Sequence, residues 1–151
     1  MLKTKRHGKK IIYFYIASTN FKPNSVIKDI NYYYMNENSN SRRGDYDLCY
    51  QVDQTITETR KLIANFINAK LFKEIVSTSG VTMSINLIAF SYAMKFLKKD
   101  DEILLNQAEH DNNVLPWYQV GKLIGVKIKF IPLDKGQLTL KNVQKIITKK
   151  N

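Results

Sequence analysis

Residues 100–133, "DDEILLNQAEHDNNVLPWYQVGKLIGVKIKFIPL", alternate between two kinds of pattern. "DDEILLNQ" (100–107) is a short apolar run of strand length. A helix from about Asn113 to Ile124 follows, with Pro116 tolerable in its first turn, where a missing N–H costs little. Gly125 ends that helix. "VKIKFIPL" (126–133) is a second strand, with alternating apolar residues. A strand, a helix and another strand over this length imply a parallel βαβ unit with a right-handed crossover.

Before this unit, "EIVSTS" (74–79) predicts an earlier strand and Gly80 the turn after it. "VTMSINLIAFSYAMKFL" (81–97) is apolar on most sides and predicts a buried helix. Downstream, Asp134 to Gly136 turn the chain into a last helix, about 140–148. Upstream, Val52, Ile56, Thr59, Ile63, Phe66 and Ile67 step by three and four and predict a helix with one buried stripe. Residues 35–48, "MNENSNSRRGDYDL", form a polar loop, of a length that is usually functional or mobile. Val26, Ile27, Ile30, Tyr33 and Tyr34 predict a helix capped by Asn24 or Ser25. "IIYFYIAS" (11–18) predicts a short strand or extended arm.

The fold class is therefore α/β, a parallel sheet with flanking helices. Three strands are few, because a parallel sheet needs both faces covered and has costly open edges. The alternation calls for another strand where the sequence reads "IITKKN" (146–151), so the expectation is an incomplete fold.

The chain has 151 residues, the prior for one domain able to bury a sizeable core. Its one cysteine, Cys49, excludes an internal disulfide framework and fits a reducing compartment. The N-terminus does not resemble a secretory signal, and no stretch nears the roughly 20 apolar residues of a membrane span. A cytoplasmic protein without membrane contact is expected. The formal net charge of +11 first suggests nucleic acid. Its distribution argues otherwise. Lys3, Lys5, Arg6, Lys9 and Lys10 crowd one end; Lys135, Lys141, Lys145, Lys149 and Lys150 crowd the other; the body between is nearly neutral. Residues 1–12 are read as a basic segment and 13–151 as the folded part.

In an open α/β sheet, ligands bind beyond the carboxyl ends of the strands. Two such exits stand out. At "STSGVTMS" (77–84), small hydroxylated residues and a glycine lead into a helix. Its exposed N–H groups with the hydroxyls of Ser79 and Thr82 would make a phosphate cup, or the stretch is a plain N-cap. It is not a P-loop, since no Gly-Lys-Ser/Thr follows. At "NQAEHDNNVLPW" (106–117), His110 stands between Glu109 and Asp111. Adjacent side chains diverge, so a metal site fits poorly. A loop histidine bonded to a neighbour and a ligand-stacking or acid/base histidine both remain. Together the two exits would offer a flat phosphorylated cofactor a cup at Gly80–Thr82 and an imidazole at His110.

Five segments, in order, resemble the N-terminal part of cysteine desulfurases and selenocysteine lyases, members of the class-V aminotransferase family that use pyridoxal phosphate. "YFYIASTNFKPNSVIKDINYYY" is similar to the opening strand, D-N-A-A-T-like motif, Lys-Pro and first helix. "NSRRGDYDL" is similar to N-x-H-R-G-x-H-x-L, and "EIVSTSGVTMSINLIA" to E-I-I-F-T-R-G-T-T-E-A-I-N-L-V-A. "AEHDNNVLPW" matches E-H-H-x-N-x-V-P-W, and "GVKIKFIPLDKGQL" the following strand and Asp-Gly turn. The resemblance runs from about Tyr13 to the last residue.

That resemblance implies part of the large domain of a fold-type-I pyridoxal-phosphate enzyme. It implies that Thr82 binds the cofactor phosphate with the backbone of Gly80 and Val81, and that His110 stacks on the pyridine ring. The complete enzyme would take sulfur from cysteine for iron–sulfur cluster assembly, as a homodimer or with a complementary C-terminal half, and pass it to a sulfur-acceptor protein. Departures are Tyr15 and Ile16 in the opening motif, Arg42 and Tyr46 at the loop histidines, Ser79 at the arginine before Gly-Thr-Thr, Val81 at its first threonine, Met83 at the following Glu, and Asp111 at the second histidine. The family's lysine anchor, the aspartate for the pyridine nitrogen and the sulfur-accepting cysteine have no counterpart among these residues, so no catalytic residue is assigned. Cys49 is read as an ordinary loop or packing cysteine.

Overall fold

The structure, a computed structural model, describes residues 4–149, and the chain divides into two units, Met1–Ile75 and Val76–Asn151. Lys3 and Lys150, members of the two basic ends, lie outside the described residues.

In the first unit, Lys5–Arg6 (β1) and Lys9–Lys10 (β2) pair antiparallel. His7 and Gly8 between them both take positive φ, 51° and 76°, the backbone that matches hairpin twist. "IIYFYIAS" does not continue as a strand. Tyr15–Ala17 form a single 3-10 turn, because Tyr13 closes the chain locally: its hydroxyl donates to the Thr19 carbonyl at 2.8 Å, and its ring meets Phe21 edge-on at 5.0 Å.

Helix α1 (Asn24–Tyr32) starts after Pro23, whose φ of −57° and ψ of 148° fit an N-cap, so the cap lies one residue before the predicted Asn24. The helix widens into a π-helical turn, Tyr33–Glu37. The side-chain amide of Asn36 donates to the Tyr32 carbonyl there. The predicted loop consequently begins later, at Asn38. It is tied down by Asp53 of helix α2 (Asp47–Phe66), which accepts from the Ser41 hydroxyl at 2.7 Å and from the Arg42 N–H at 3.2 Å. The predicted stripe of α2 is buried only in part. Val52 and, off the predicted stripe, Cys49 and Ala64 are buried, whereas Phe66 is 89% exposed. The turn at Tyr33–Glu37 covers α2 around Val52 and Ile56, and the stripe outruns that cover.

In the second unit, α3 (Val81–Leu87) passes through a π-helical turn, Ile88–Ala93, into α4 (Met94–Phe96). Strand β3 (Glu102–Asn106), helix α5 (Leu115–Ile124) and strand β4 (Lys127–Ile131) follow, then α6 (Leu140–Ile146). β3 and β4 pair in parallel, from Glu102 opposite Lys127 to Asn106 opposite Ile131, as the two-strand pattern predicts. Gly125 ends α5 with φ 78°, the left-handed conformation glycine takes without a Cβ penalty. Lys127 pairs with Asp100 at 2.8 Å and Lys129 with Glu102 at 2.7 Å.

Two expectations are corrected here. "EIVSTS" is not a strand: Phe72–Glu74 form a 3-10 turn and the residues after it have no ladder partner among the described residues. An extended segment becomes a strand only when a neighbour takes up its N–H and C=O groups. The segment 81–97 is helical but not buried all round. Ala89 and Ala93 are buried against Val120 of α5, with Trp117 and Ile124 packed alongside. Val81, Ile88 and Tyr92 are each more than half exposed. Only the stripe facing α5 is covered, because within this unit α5 is the helix packed on that turn.

Candidate functional site

Gly80, Val81 and Thr82 stand where α3 begins. Gly80 is the N-cap and has no side chain to bond the first helical N–H groups, which have no partner inside the helix. A Cβ built on Gly80 would have nothing within 4 Å, so the approach to this turn is open. The turn is held from behind. Thr78 Oγ1 and Ser84 Oγ are hydrogen-bonded to each other at 2.7 Å and lie 3.1 Å and 3.3 Å from the Gly80 carbonyl, so one hydroxyl donates to its neighbour and the other to that carbonyl. Those two hydroxyls shape the loop, a role that sequence reasoning gave to neither. Thr82 is left exposed with Val81, its carbonyl accepting from the Asn86 amide one turn on at 2.8 Å.

His110 follows β3. Asn106, the last residue of that strand, binds the Ala108 N–H through its side-chain oxygen at 2.8 Å and Glu109 Oε2 through its amide at 2.7 Å. Glu109 is thus engaged with Asn106. His110 caps the short 3-10 turn Asp111–Asn113, its Nδ1 accepting from the Asn112 N–H at 3.2 Å. That bond requires an unprotonated Nδ1, so the neutral ring carries its hydrogen on Nε2. The ring is exposed and keeps the Nε2 side for another partner. The loop-capping and ligand-facing readings of His110 are therefore compatible in one ring.

The same turn closes a cleft of about 200 Å³ within the second unit. Thr82 and Asn86 line it from α3, Asp111 and Asn112 from the turn, and Pro116 and Gln119 from α5. The two strand exits singled out in the sequence are thereby brought together: Thr82 and the residues directly after His110 share one wall-to-wall space. His110 itself is not among the lining residues. Asn86 and Gln119 were missed in the sequence. Asn86 was legible as the residue four after Thr82, on the same helix face; Gln119 needed the packing of α5 on α3. Asp111, weighed there as a metal ligand, lines the cleft instead. Trp117, next to the cleft on α5, donates through Nε1 to Asn113 Oδ1 at 3.0 Å.

Among the described residues, no group of three His, Cys, Asp or Glu side chains is placed to hold a metal ion. No helix there is long and apolar enough to cross a membrane.

The pyridoxal phosphate that the resemblance implies fits these residues at two of its parts. An uncapped helix start beside an unobstructed glycine, with a threonine hydroxyl exposed on it, suits a phosphate. An exposed imidazole held by its Nδ1 suits a flat ring.

The aminotransferase class-V family model matches residues 12–151. A probable cysteine desulfurase from Borreliella burgdorferi is 41% identical over 152 residues, which cover 99% of this chain and 36% of that protein. The apo structure of a cysteine desulfurase from Thermococcus onnurineus superposes with a TM-score of 0.81 at 34% identity, over 89% of this chain and 34% of the other. The Escherichia coli cysteine desulfurase CsdA superposes with a TM-score of 0.75 at 30% identity, with the same coverage. The chain spans about a third of the length of these relatives. With a family model matched over nearly its whole length, the chain belongs to the class-V aminotransferases and resembles their cysteine desulfurase members.

Proposed function

We propose that these 151 residues supply the phosphate and ring-facing part of the cofactor site of a cysteine desulfurase, an enzyme that takes sulfur from cysteine with pyridoxal phosphate as electron sink. The cofactor is that of the family. The observation that carries the reading is the shared cleft, where Thr82 meets the turn that His110 caps. Thr82 and the backbone of Gly80 and Val81 would hold the phosphate. His110 would lie on the ring and move a proton through Nε2. When bound, the cofactor supplies the sink for the electrons released at the substrate carbon.

The covalent lysine and the sulfur-accepting cysteine have no counterpart here, so the 151 residues alone carry no desulfurase activity. Residues 13–151 would act as a homodimer or with a complementary C-terminal half, and deliver sulfur to an acceptor protein in the cytoplasm; residues 1–12 would be a basic extension. The exposed apolar faces of α3 and α2 support a further layer of protein.

The test is complementation. The chain is mixed with the C-terminal two thirds of a related desulfurase, and sulfide release from cysteine is measured. Activity is expected from the mixture and from neither part. Activity from the 151-residue chain alone would overturn the proposal.

A non-catalytic interaction protein retaining the fold is the second reading, favoured by the substitutions at Tyr15, Ile16, Tyr46 and Ser79. In that case a pull-down recovers a stable partner other than a C-terminal half, and the mixture releases no sulfide.

A further inference from the structure

The cleft beside Thr82 carries a charge that a phosphate site does not ordinarily have. Thr82, Asn86, Asn112, Pro116 and Gln119 bring hydroxyl, amide and apolar groups to it. Asp111 is the charged side chain among those lining it. It is exposed, and neighbouring carboxylates do not share its position: Glu109 is turned to Asn106.

We infer that Asp111 is a specificity-determining residue which weakens the hold of this cleft on phosphorylated ligands while leaving unphosphorylated ones untouched. The inference rests on the reading of Thr82 as a phosphate-binding residue. Its physics is direct. Thr82 and Asp111 line one cleft of about 200 Å³, and a carboxylate and a phosphate dianion roughly 7 Å apart repel strongly enough in water to shift binding by about tenfold. The repulsion acts through solvent, so salt screens it. The Thr82 hydroxyl would attract the phosphate; Asp111, which lines the same cleft, would oppose it.

The chain provides its own reporter. Trp117 is the single tryptophan, it lies on α5 beside the cleft, and it is bonded to Asn113 of the same turn. The full chain, with Asp111→Asn and Asp111→Glu variants, is titrated with pyridoxal phosphate and with pyridoxal, following Trp117 fluorescence and confirming occupancy by equilibrium dialysis. Asp111→Asn is expected to bind pyridoxal phosphate about tenfold more tightly than the parent. Asp111→Glu should stay close to the parent, and pyridoxal should bind all three alike. The gain in Asp111→Asn should shrink as salt is raised. Equal affinity of parent and Asp111→Asn for pyridoxal phosphate would overturn the inference and leave the phosphate role of Thr82 standing. An equal gain for pyridoxal would overturn it too, since repacking and not charge would be responsible. Failure of parent and Asp111→Asn alike to bind pyridoxal phosphate would overturn both this inference and the reading beneath it.

Discussion

A Cβ on Gly121 would lie 2.9 Å from the carbonyl oxygen of Val126. Helix α5 and the approach to strand β4 therefore touch backbone to side-chain position, with Gly125 turning the chain between them. That contact sets how closely the crossover helix sits on its own strand.

Gly121→Ala places a methyl group against a backbone atom that has no flexible end to move aside. The expected loss is about 1–3 kcal/mol of stability, the usual cost of overpacking. Urea denaturation monitored by Trp117 fluorescence checks it; an unchanged midpoint would show that α5 can lift away from β4 freely.

Asp53 holds the 38–46 loop through the Ser41 hydroxyl and the Arg42 N–H. Replacing it with Ala removes bonds to an ionised acceptor and is expected to cost about 1–2 kcal/mol. The local consequence is easier to read than the global one. Trypsin should cut after Arg42 and Arg43 several-fold faster in Asp53→Ala than in the parent.

Tyr46 ionises later than an ordinary tyrosine, first because of its side-chain hydrogen bond with Cys49, then through the charge interaction between the two and desolvation. A folded-state pKa raised above the unfolded one gives stability that is complete below the unfolded value and is lost as pH rises through the folded value. The sensitive window therefore lies above about pH 10. Lys127 acts in the same window, since its hydrogen bond and ion pair with Asp100 raise its pKa. Thermal melts should fall as pH climbs beyond that point, and less steeply in Cys49→Ala and Lys127→Gln. An identical alkaline slope in all three proteins would contradict the assignment.

Thr82→Ala should weaken binding of pyridoxal phosphate about tenfold without affecting pyridoxal, whereas His110→Ala should weaken both, because the first touches the phosphate and the second the ring. Competition by inorganic phosphate provides the cross-check. Borohydride treatment of the chain with pyridoxal phosphate is expected to label no single lysine; one specifically modified lysine, found by peptide mapping, would place the covalent anchor within these residues.

The parallel pair around α5 was legible because every signal for it is local. Alternation in "VKIKFIPL", Pro116 in a first turn and Gly125 at a helix end each act through their own backbone. The helices were legible for the same reason. Where prediction went wrong, the missing information was a neighbour. "EIVSTS" has the composition of a strand, yet a strand exists only with a partner for its ladder. The stripe of α2 and the apolar faces of α3 are periodic, yet periodicity marks a face that can be covered and not the protein that covers it. On α2 the predicted stripe is buried at Val52 and not at Phe66, and on the other helix burial is confined to the Ala89–Ala93 stripe that α5 covers.

The same division holds at the site. The family was legible in the chain, and so were its two local motifs: a glycine with threonine at 80–82, before a helix, and a histidine at 110, after strand β3. Short-range chemistry writes these directly into the chain. What those residues face depends on packing between segments distant in the chain. The fold turned Glu109 to Asn106, gave the His110 Nδ1 to the Asn112 N–H, and set Asp111 in the cleft with Thr82. Thr82 and Asp111 are 29 positions apart in the chain, and only the packing of α3 against the turn and α5 makes the charge of one matter to the other.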